Sequence, residues 1–170
     1  MKLSAQEEYG LRCLIRVAQH CLTGPPCSAL AQIPEIAALE GLSQDYVAKL
    51  MRVLRQGGLV TSIRGAAGGY RLARPADQIT MQHAIDVLDG PMFPDAFCQT
   101  HAGQSARCIH SSTDCSIRGL WRRVGGALSG VLGQITLAEI AGLPRAPRPR
   151  PDTAPEGQPH PALYPLENGA

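Results

Sequence analysis

The sequence predicts a mainly α-helical protein with one small β-hairpin: a winged helix-turn-helix followed by a long C-terminal helix. Three observations carry this expectation. Two short amphipathic stretches, PEIAALE and SQDYVAKLMRVLRQ, are joined by Gly41-Leu42, the tight glycine-containing connection of a helix-turn-helix. Two β-type runs follow at once and flank the glycine-rich turn RGAAGG, residues 64–69. Further along, SIRGLWRRVGGALSGVLGQ repeats apolar residues at 3–4 spacing, the period of a helix with one buried stripe.

Ser4 and Glu7 fit a capping box, so a first helix starts there. Leu11, Leu14, Ile15, Ala18 and Leu22 give it an apolar face, and Cys13 and Cys21 ride on it as small buried hydrophobes. Thr23-Gly24-Pro25-Pro26 ends it. Pro34, suited to a first turn, opens a second helix that runs to Gly41. Ser43 caps a third, in which Tyr46, Val47, Leu50, Met51 and Leu54 face inward. Leu59–Ile63 and Tyr70–Leu72 read as the two strands of the wing. Thr80 opens TMQHAIDVLDG, stopped by Gly90-Pro91. In the long helix Ile117, Leu120, Trp121, Val124, Leu128, Val131, Leu132 and Ile135 form one stripe. Gly125, Gly126, Gly130 and Gly133 each cost that helix about 1 kcal/mol against Ala, which points to close packing on another helix, that of a second copy. Thr136 and Glu139 make another capping box. From Pro144 the composition changes: eight of the 14 prolines lie in residues 144–170, a tail expected to be disordered or extended. The expected organisation is a winged helix-turn-helix over 1–90, a cysteine-containing loop over 91–115, a dimerisation helix over 116–143 and the tail over 144–170.

Bulk properties narrow the function classes. At 170 residues and 44% hydrophobic, the chain can build one ordinary core. Net charge is only +2, so affinity for nucleic acid must come from a local patch. Aromatics make up 4%, too few for single-strand recognition by base stacking. Glu7, Glu8, Arg12 and Arg16 interrupt any signal-peptide core, and no run of apolar residues is long enough to span a bilayer. The expected location is cytoplasmic, without membrane association. There, six cysteines point to core residues, metal ligands or redox sensors rather than a disulfide framework. No G-x-S-x-G, H-E-x-x-H or P-loop pattern occurs, so an enzyme is not expected.

Charge is concentrated where the helix-turn-helix and wing fall. Between Ser43 and Arg74 stand Lys49, Arg52, Arg55, Arg64, Arg71 and Arg74 against the single acid Asp45, a net +5 on one helix and one hairpin. A solvated cationic face is the ordinary explanation of such a run. Its coincidence with a recognition helix and a wing favours duplex DNA. Arg64, beside glycines that let the backbone come close, suits a phosphate or a minor-groove edge. A winged-helix module that binds only protein would not need the +5 surface.

The segment CQTHAGQSARCIHSSTDC, residues 98–115, holds three cysteines and two histidines with almost nothing apolar. Thiolates are the usual ligands of iron-sulfur clusters. Cys115 lies at a helix start, where the dipole favours a thiolate, and Arg107 and Arg118 act in the same direction. A Cys3His zinc site is an alternative, although the C-x2-C knuckle favoured by structural zinc is missing. A metal-free thiol-disulfide switch is another.

The opening KLSAQEEYGLRCLIRVA, the helix SQDYVAKLMRVLRQGGLV and above all the wing SIRGAAGGYRLAR resemble the Rrf2 family of bacterial winged-helix transcriptional regulators. TMQHAIDVLDG and the trailing DCSIRGLW and VLGQITLAEIAG also fit, so the resemblance covers about residues 1–143. It implies a homodimer whose long C-terminal helices cross, and, as in several members, a cluster held in the loop before that helix. By this resemblance Ser43, Gln44, Tyr46 and Lys49 lie on the helix that enters the major groove, and Arg64 with Gly65, Gly68 and Gly69 lies over the minor groove. Arg52 and Arg71 extend the same basic surface. A dimer implies a partly palindromic operator. Cys98, Cys108 and Cys115 stand where the family's cluster cysteines stand, in a C-x9-C-x6-C spacing wider than its common C-x5-C-x5-C. A [2Fe-2S] or [4Fe-4S] cluster there would take a fourth ligand from Glu8 of the other subunit, or from His110 or His101. The implied function is a transcriptional regulator, a repressor, whose DNA affinity responds to redox, nitric oxide or iron status through the cluster.

Overall fold

A computed structural model of the chain describes residues 4–20, 30–65, 67–91 and 116–143. Helix α1 (Ala5–His20) opens on the expected box: the Ser4 N–H donates to Glu7 Oε2 at 2.6 Å, and the Glu7 N–H donates to Ser4 Oγ at 3.1 Å. Its buried face is Gly10, Cys13, Leu14, Val17 and Ala18, with Leu11 and Ile15 only half-buried. The face is turned from the expected one because Leu88, from a helix later in the chain, packs directly over Gly10.

Helices α2 (Ile33–Glu40) and α3 (Gln44–Gln56) form the helix-turn-helix. Pro34 sits in the first turn of α2 and Gly41 caps its end. Ser43 caps α3, accepting the Tyr46 N–H at 3.3 Å. Val47, Leu50, Met51 and Leu54 are fully buried, whereas Tyr46 is half-buried. Strands β1 (Val60–Ile63) and β2 (Gly69–Leu72) pair antiparallel with Thr61 opposite Arg71 and Ile63 opposite Gly69. One further contact has no counterpart in any local sequence pattern. Ala31 pairs with Tyr70 through two backbone hydrogen bonds of 2.9 Å, fastening the wing to the chain just before α2.

A 3-10 turn (Ala76–Gln78) leads to α4 (Met81–Asp89), which Thr80 caps and which packs on α1 and α3. Helix α5 (Ser116–Leu132) is followed by the short α6 (Leu137–Ile140). This last segment returns to the first core. Met81 N–H donates to Ile135 O at 2.9 Å, Leu137 N–H donates to Ile79 O at 2.8 Å, and Leu137 is completely buried. No helix among the described residues is long and apolar enough to cross a membrane.

Helix α5 behaves differently. Ile117, Leu120, Trp121 and Val131 of its predicted stripe are exposed, three of them by more than half, and Val124 and Leu128 are half-buried. A Cβ at Gly126 or Gly130 would meet nothing within 4 Å. The close packing expected of these two glycines is therefore not made among the described residues.

Candidate nucleic-acid interface

Helix α3 is sharply two-sided. Its apolar positions fill the core, and the opposite face presents Gln44, Asp45, Lys49, Arg52, Arg55 and Gln56 to solvent. Ion pairs among the described residues gather instead on α1 and α2: Arg12 with Glu8 and Glu40, Arg16 with Glu40, and His20 with Glu35. Lys49, Arg52, Arg55, Arg64 and Arg71 belong to none of them, so their charge is not neutralised by a described carboxylate. That leaves a positive surface able to attract a polyanion. Ser43 uses its oxygen as the cap acceptor, and its hydroxyl proton remains able to donate outward.

Tyr46, near the start of α3, is held from behind. Its ring meets that of Tyr9 edge-on, at 6.1 Å between centroids and 79° between planes. The Arg12 guanidinium lies 5.8 Å above Tyr9. Arg12 in turn reaches Glu8 at 2.8 Å and Glu40 at 3.8 Å, and Arg16 Nε donates to Glu40 at 2.5 Å. An i,i+4 pair of Glu8 with Arg12 is readable from sequence. The approach of Tyr9 to Tyr46 is not, because it depends on how α1 packs against α3.

The wing tip is built by glycine. The Gly68 N–H donates to Gly65 O at 2.9 Å, and Gly65 has φ +125°, a conformation that L side chains rarely adopt. A Cβ on Gly68 would lie 2.4 Å from the carbonyl oxygen of Ile63 and 2.8 Å from that of Gly65, so only glycine closes this turn. Arg64 is exposed at its edge, over a groove that also takes in Gln32, Pro34 and Ser62. Gly69 lets β2 pair closely with Ala31, whose oxygen lies 2.8 Å from where a Cβ would stand. Arg71 is exposed on the outer face of the hairpin opposite Thr61. Arg74 Nη2 donates to His83 Nδ1 at 3.1 Å.

All the predicted DNA-facing residues thus fall on one helix and one hairpin. The predicted cluster ligands do not fall within the described residues: Cys98, Cys108, Cys115, His101 and His110 lie outside them, as do Arg107, Cys21 and Cys27. Glu8 is described. Its side chain is 49% exposed on α1, accessible from outside the protomer, and any ligand bond it made would compete with Arg12. An exposed carboxylate joined to three thiols is a donor set that suits iron. Cys13 does not belong to such a set. It is fully buried, and burial, with the Glu40 charge beside it, pushes its thiol up to about 12.

Residues 3–142 match the family model Rrf2, described as an iron-dependent transcriptional regulator. The chain belongs to the Rrf2 family. Among Rrf2 relatives, the HTH-type transcriptional regulator CymR of Bacillus subtilis is 35% identical over 141 residues, covering 83% of this chain and 90% of CymR. The HTH-type transcriptional regulator IscR of Serratia proteamaculans is 33% identical over 141 residues, covering 82% and 79%. The solved structure of B. subtilis CymR, the global cysteine regulator, superposes with a TM-score of 0.64 at 33% identity, over 84% of this chain and 97% of that one. T. potens IscR superposes at 0.62 with 32% identity, over 84% and 87%. Rrf2 membership makes this helix-turn-helix and wing the DNA-binding apparatus of a transcriptional regulator, not the site of an enzyme.

Proposed function

We propose that this Rrf2-family regulator is a cytoplasmic homodimeric repressor. It reads a partly palindromic operator with two copies of α3 and the wing. The observation that carries the DNA reading is the exposed basic surface of Lys49, Arg52, Arg64 and Arg71, while the ion pairs among the described residues lie on α1 and α2. Ser43, Gln44, Tyr46 and Lys49 face the major groove, and Arg64 with Gly65, Gly68 and Gly69 lies along the minor groove. The exposed apolar stripe of α5 supports dimerisation through that helix. Under this reading the winged helix-turn-helix spans 1–90, the sensor loop 91–115 and the dimerisation segment 116–143, whose helix α5 meets the partner, with the proline-rich tail after it.

Cys98, Cys108 and Cys115, with Glu8 of the partner copy or His110, would hold an iron-sulfur cluster, and its state would set the affinity for DNA. Cys115 immediately precedes α5, so a change in its ligation would act on the helix that fixes the spacing of the two recognition helices. The cluster supplies sensitivity to redox, nitric oxide or iron. Its leverage is its differential affinity for two dimer arrangements. A second reading is a metal-free thiol switch on the same cysteines, supported by an identity to the cysteine regulator CymR as high as that to IscR.

Two measurements test the proposal. Binding to a duplex from the protein's own promoter is expected, weakened about tenfold by Arg64→Ala. Absence of binding to any duplex points to a protein-interaction module. Anaerobically purified protein is expected to contain iron and acid-labile sulfide and to absorb in the visible. Zinc without sulfide indicates a structural zinc site. No metal, together with reversible disulfide formation, establishes the thiol switch.

A further inference from the structure

One acid stands on the basic surface of the helix-turn-helix and wing. Between Ser43 and Arg74, Asp45 is the single carboxylate beside six basic residues. The burial pattern of α3 fixes its place. Val47, Leu50, Met51 and Leu54 are buried, and Asp45, Lys49, Arg52 and Gln56 are exposed at i, i+4, i+7 and i+11. At 3.6 residues per turn the centres of these two rows stand about 180° apart. Asp45 therefore heads the line of side chains that points straight away from the core. It also lies in the first turn, the end of a recognition helix that meets base edges. The side chain is not occupied within the protein. Asp45 and Lys49 have the acid-first i,i+4 spacing that pairs well on a helix, yet Asp45 belongs to none of the ion pairs among the described residues. Its backbone is held on both sides. Ser43 caps the turn through the Tyr46 N–H at 3.3 Å, and the Tyr46 ring is backed by that of Tyr9 at 6.1 Å.

We propose that Asp45 is a specificity-determining residue that selects cytosine in the major groove. The assignment rests on the DNA-binding reading above. A carboxylate carried toward a duplex is repelled by the phosphates and gains only where a donor faces it. Guanine offers the acceptors N7 and O6 in the major groove, thymine the acceptor O4 and a methyl group, and adenine a donor beside the acceptor N7. Cytosine alone presents a donor, its N4 amine, with no acceptor on the same edge. Asp45 accepts from that amine. Guanine or thymine in the same place leaves the carboxylate stripped of water against an acceptor, which is costly. Lys49 stands four residues on, about 6 Å along the helix axis, and donates to guanine O6 or N7 in a neighbouring pair. An acid in a first turn also interacts favourably with the helix dipole. That effect acts on the stability of α3 and is blind to base sequence, so binding measurements separate the two roles.

The test uses the full chain and the promoter duplex, with each base pair of the footprint replaced in turn by the other three, in both half-sites together. Unmodified protein is expected to prefer C·G at one pair of each half-site by about tenfold. D45A is expected to lose that preference and to keep the preferences at the other pairs. D45N keeps the size of the side chain, and its amide suits adenine N6 and N7, so the preference at the same pair is expected to move toward A·T. Affinity of D45A for an unrelated duplex is expected to rise, because a charge repelled by phosphate is gone. A D45A profile that changes evenly at every pair, or a C·G preference that both variants retain, overturns the assignment and leaves the DNA reading standing. Failure of the unmodified protein to bind any duplex overturns the DNA reading, and the assignment with it.

Discussion

Gly10 sits where α1 crosses α4, and a Cβ there would lie 2.2 Å from Leu88 Cδ2 and 2.8 Å from Cδ1. Leu88 is 2% exposed, so any shift of its side chain has to be made inside the core. Alanine gains about 1 kcal/mol in helix propensity, but overpacking a closed core costs about 1–3 kcal/mol. Gly10→Ala is therefore expected to lower Tm in a thermal melt although the same change on an exposed helix raises it. At Cys13 the expectation is of the opposite kind, that little happens. With its thiol pushed up to about 12, the residue is neutral across the physiological range. In native protein it is expected to resist alkylation at pH 8 under conditions that modify it in denaturant, as read by mass spectrometry. The raised value also ties stability to pH. The folded state holds the proton more tightly than the unfolded one, so the contribution is complete below the ordinary thiol value of 9.0 and is lost as pH rises toward 12.

At the scale of elements, two features join parts that stand far apart along the chain or on separate chains. Tyr9 on α1 props Tyr46 on α3, and an edge-on aromatic pair contributes about 0.5–1.5 kcal/mol beyond area burial. Tyr9→Ala is expected to weaken duplex binding by about two- to tenfold while leaving the far-ultraviolet circular dichroism nearly unchanged. Tyr9→Phe keeps the ring and is expected to restore binding, in an anisotropy titration. Helix α5 offers the second case. Ile117, Leu120 and Val131 are each more than half exposed on one helix, an apolar strip that a solitary protomer leaves in water. The double change Leu120→Asp with Val131→Asp is expected to convert a dimer to a monomer by sedimentation velocity. The helix-turn-helix of the monomer should remain folded, because neither residue belongs to its core.

For the whole molecule, the elements were legible because each carried its own local mark: the Ser4–Glu7 box, Pro34 and Gly41 around α2, the Ser43 and Thr80 caps, and the glycines of the wing. The exposed basic face of α3 was legible for a related reason, since amphipathic periodicity separates a helix's core face from its charged face. Contacts between distant residues were not. Ala31 against Tyr70, Tyr9 against Tyr46, and Ile135 and Leu137 against the start of α4 all depend on packing that no local pattern encodes. The last of these has a mechanical consequence. Two backbone hydrogen bonds, Met81 to Ile135 and Leu137 to Ile79, clasp the chain just beyond α5 to the root of α4. The 17 residues of α5 are about 25 Å of stiff rod fixed near one end. Such a rod is a lever with its fulcrum at the clasp. A swing of about 2 Å at its far end, beside the cysteine segment, is a tilt of only about 5° at the fulcrum. The rod itself touches α4, α4 rests against α1 and α3, and the chain beyond the clasp packs on α1.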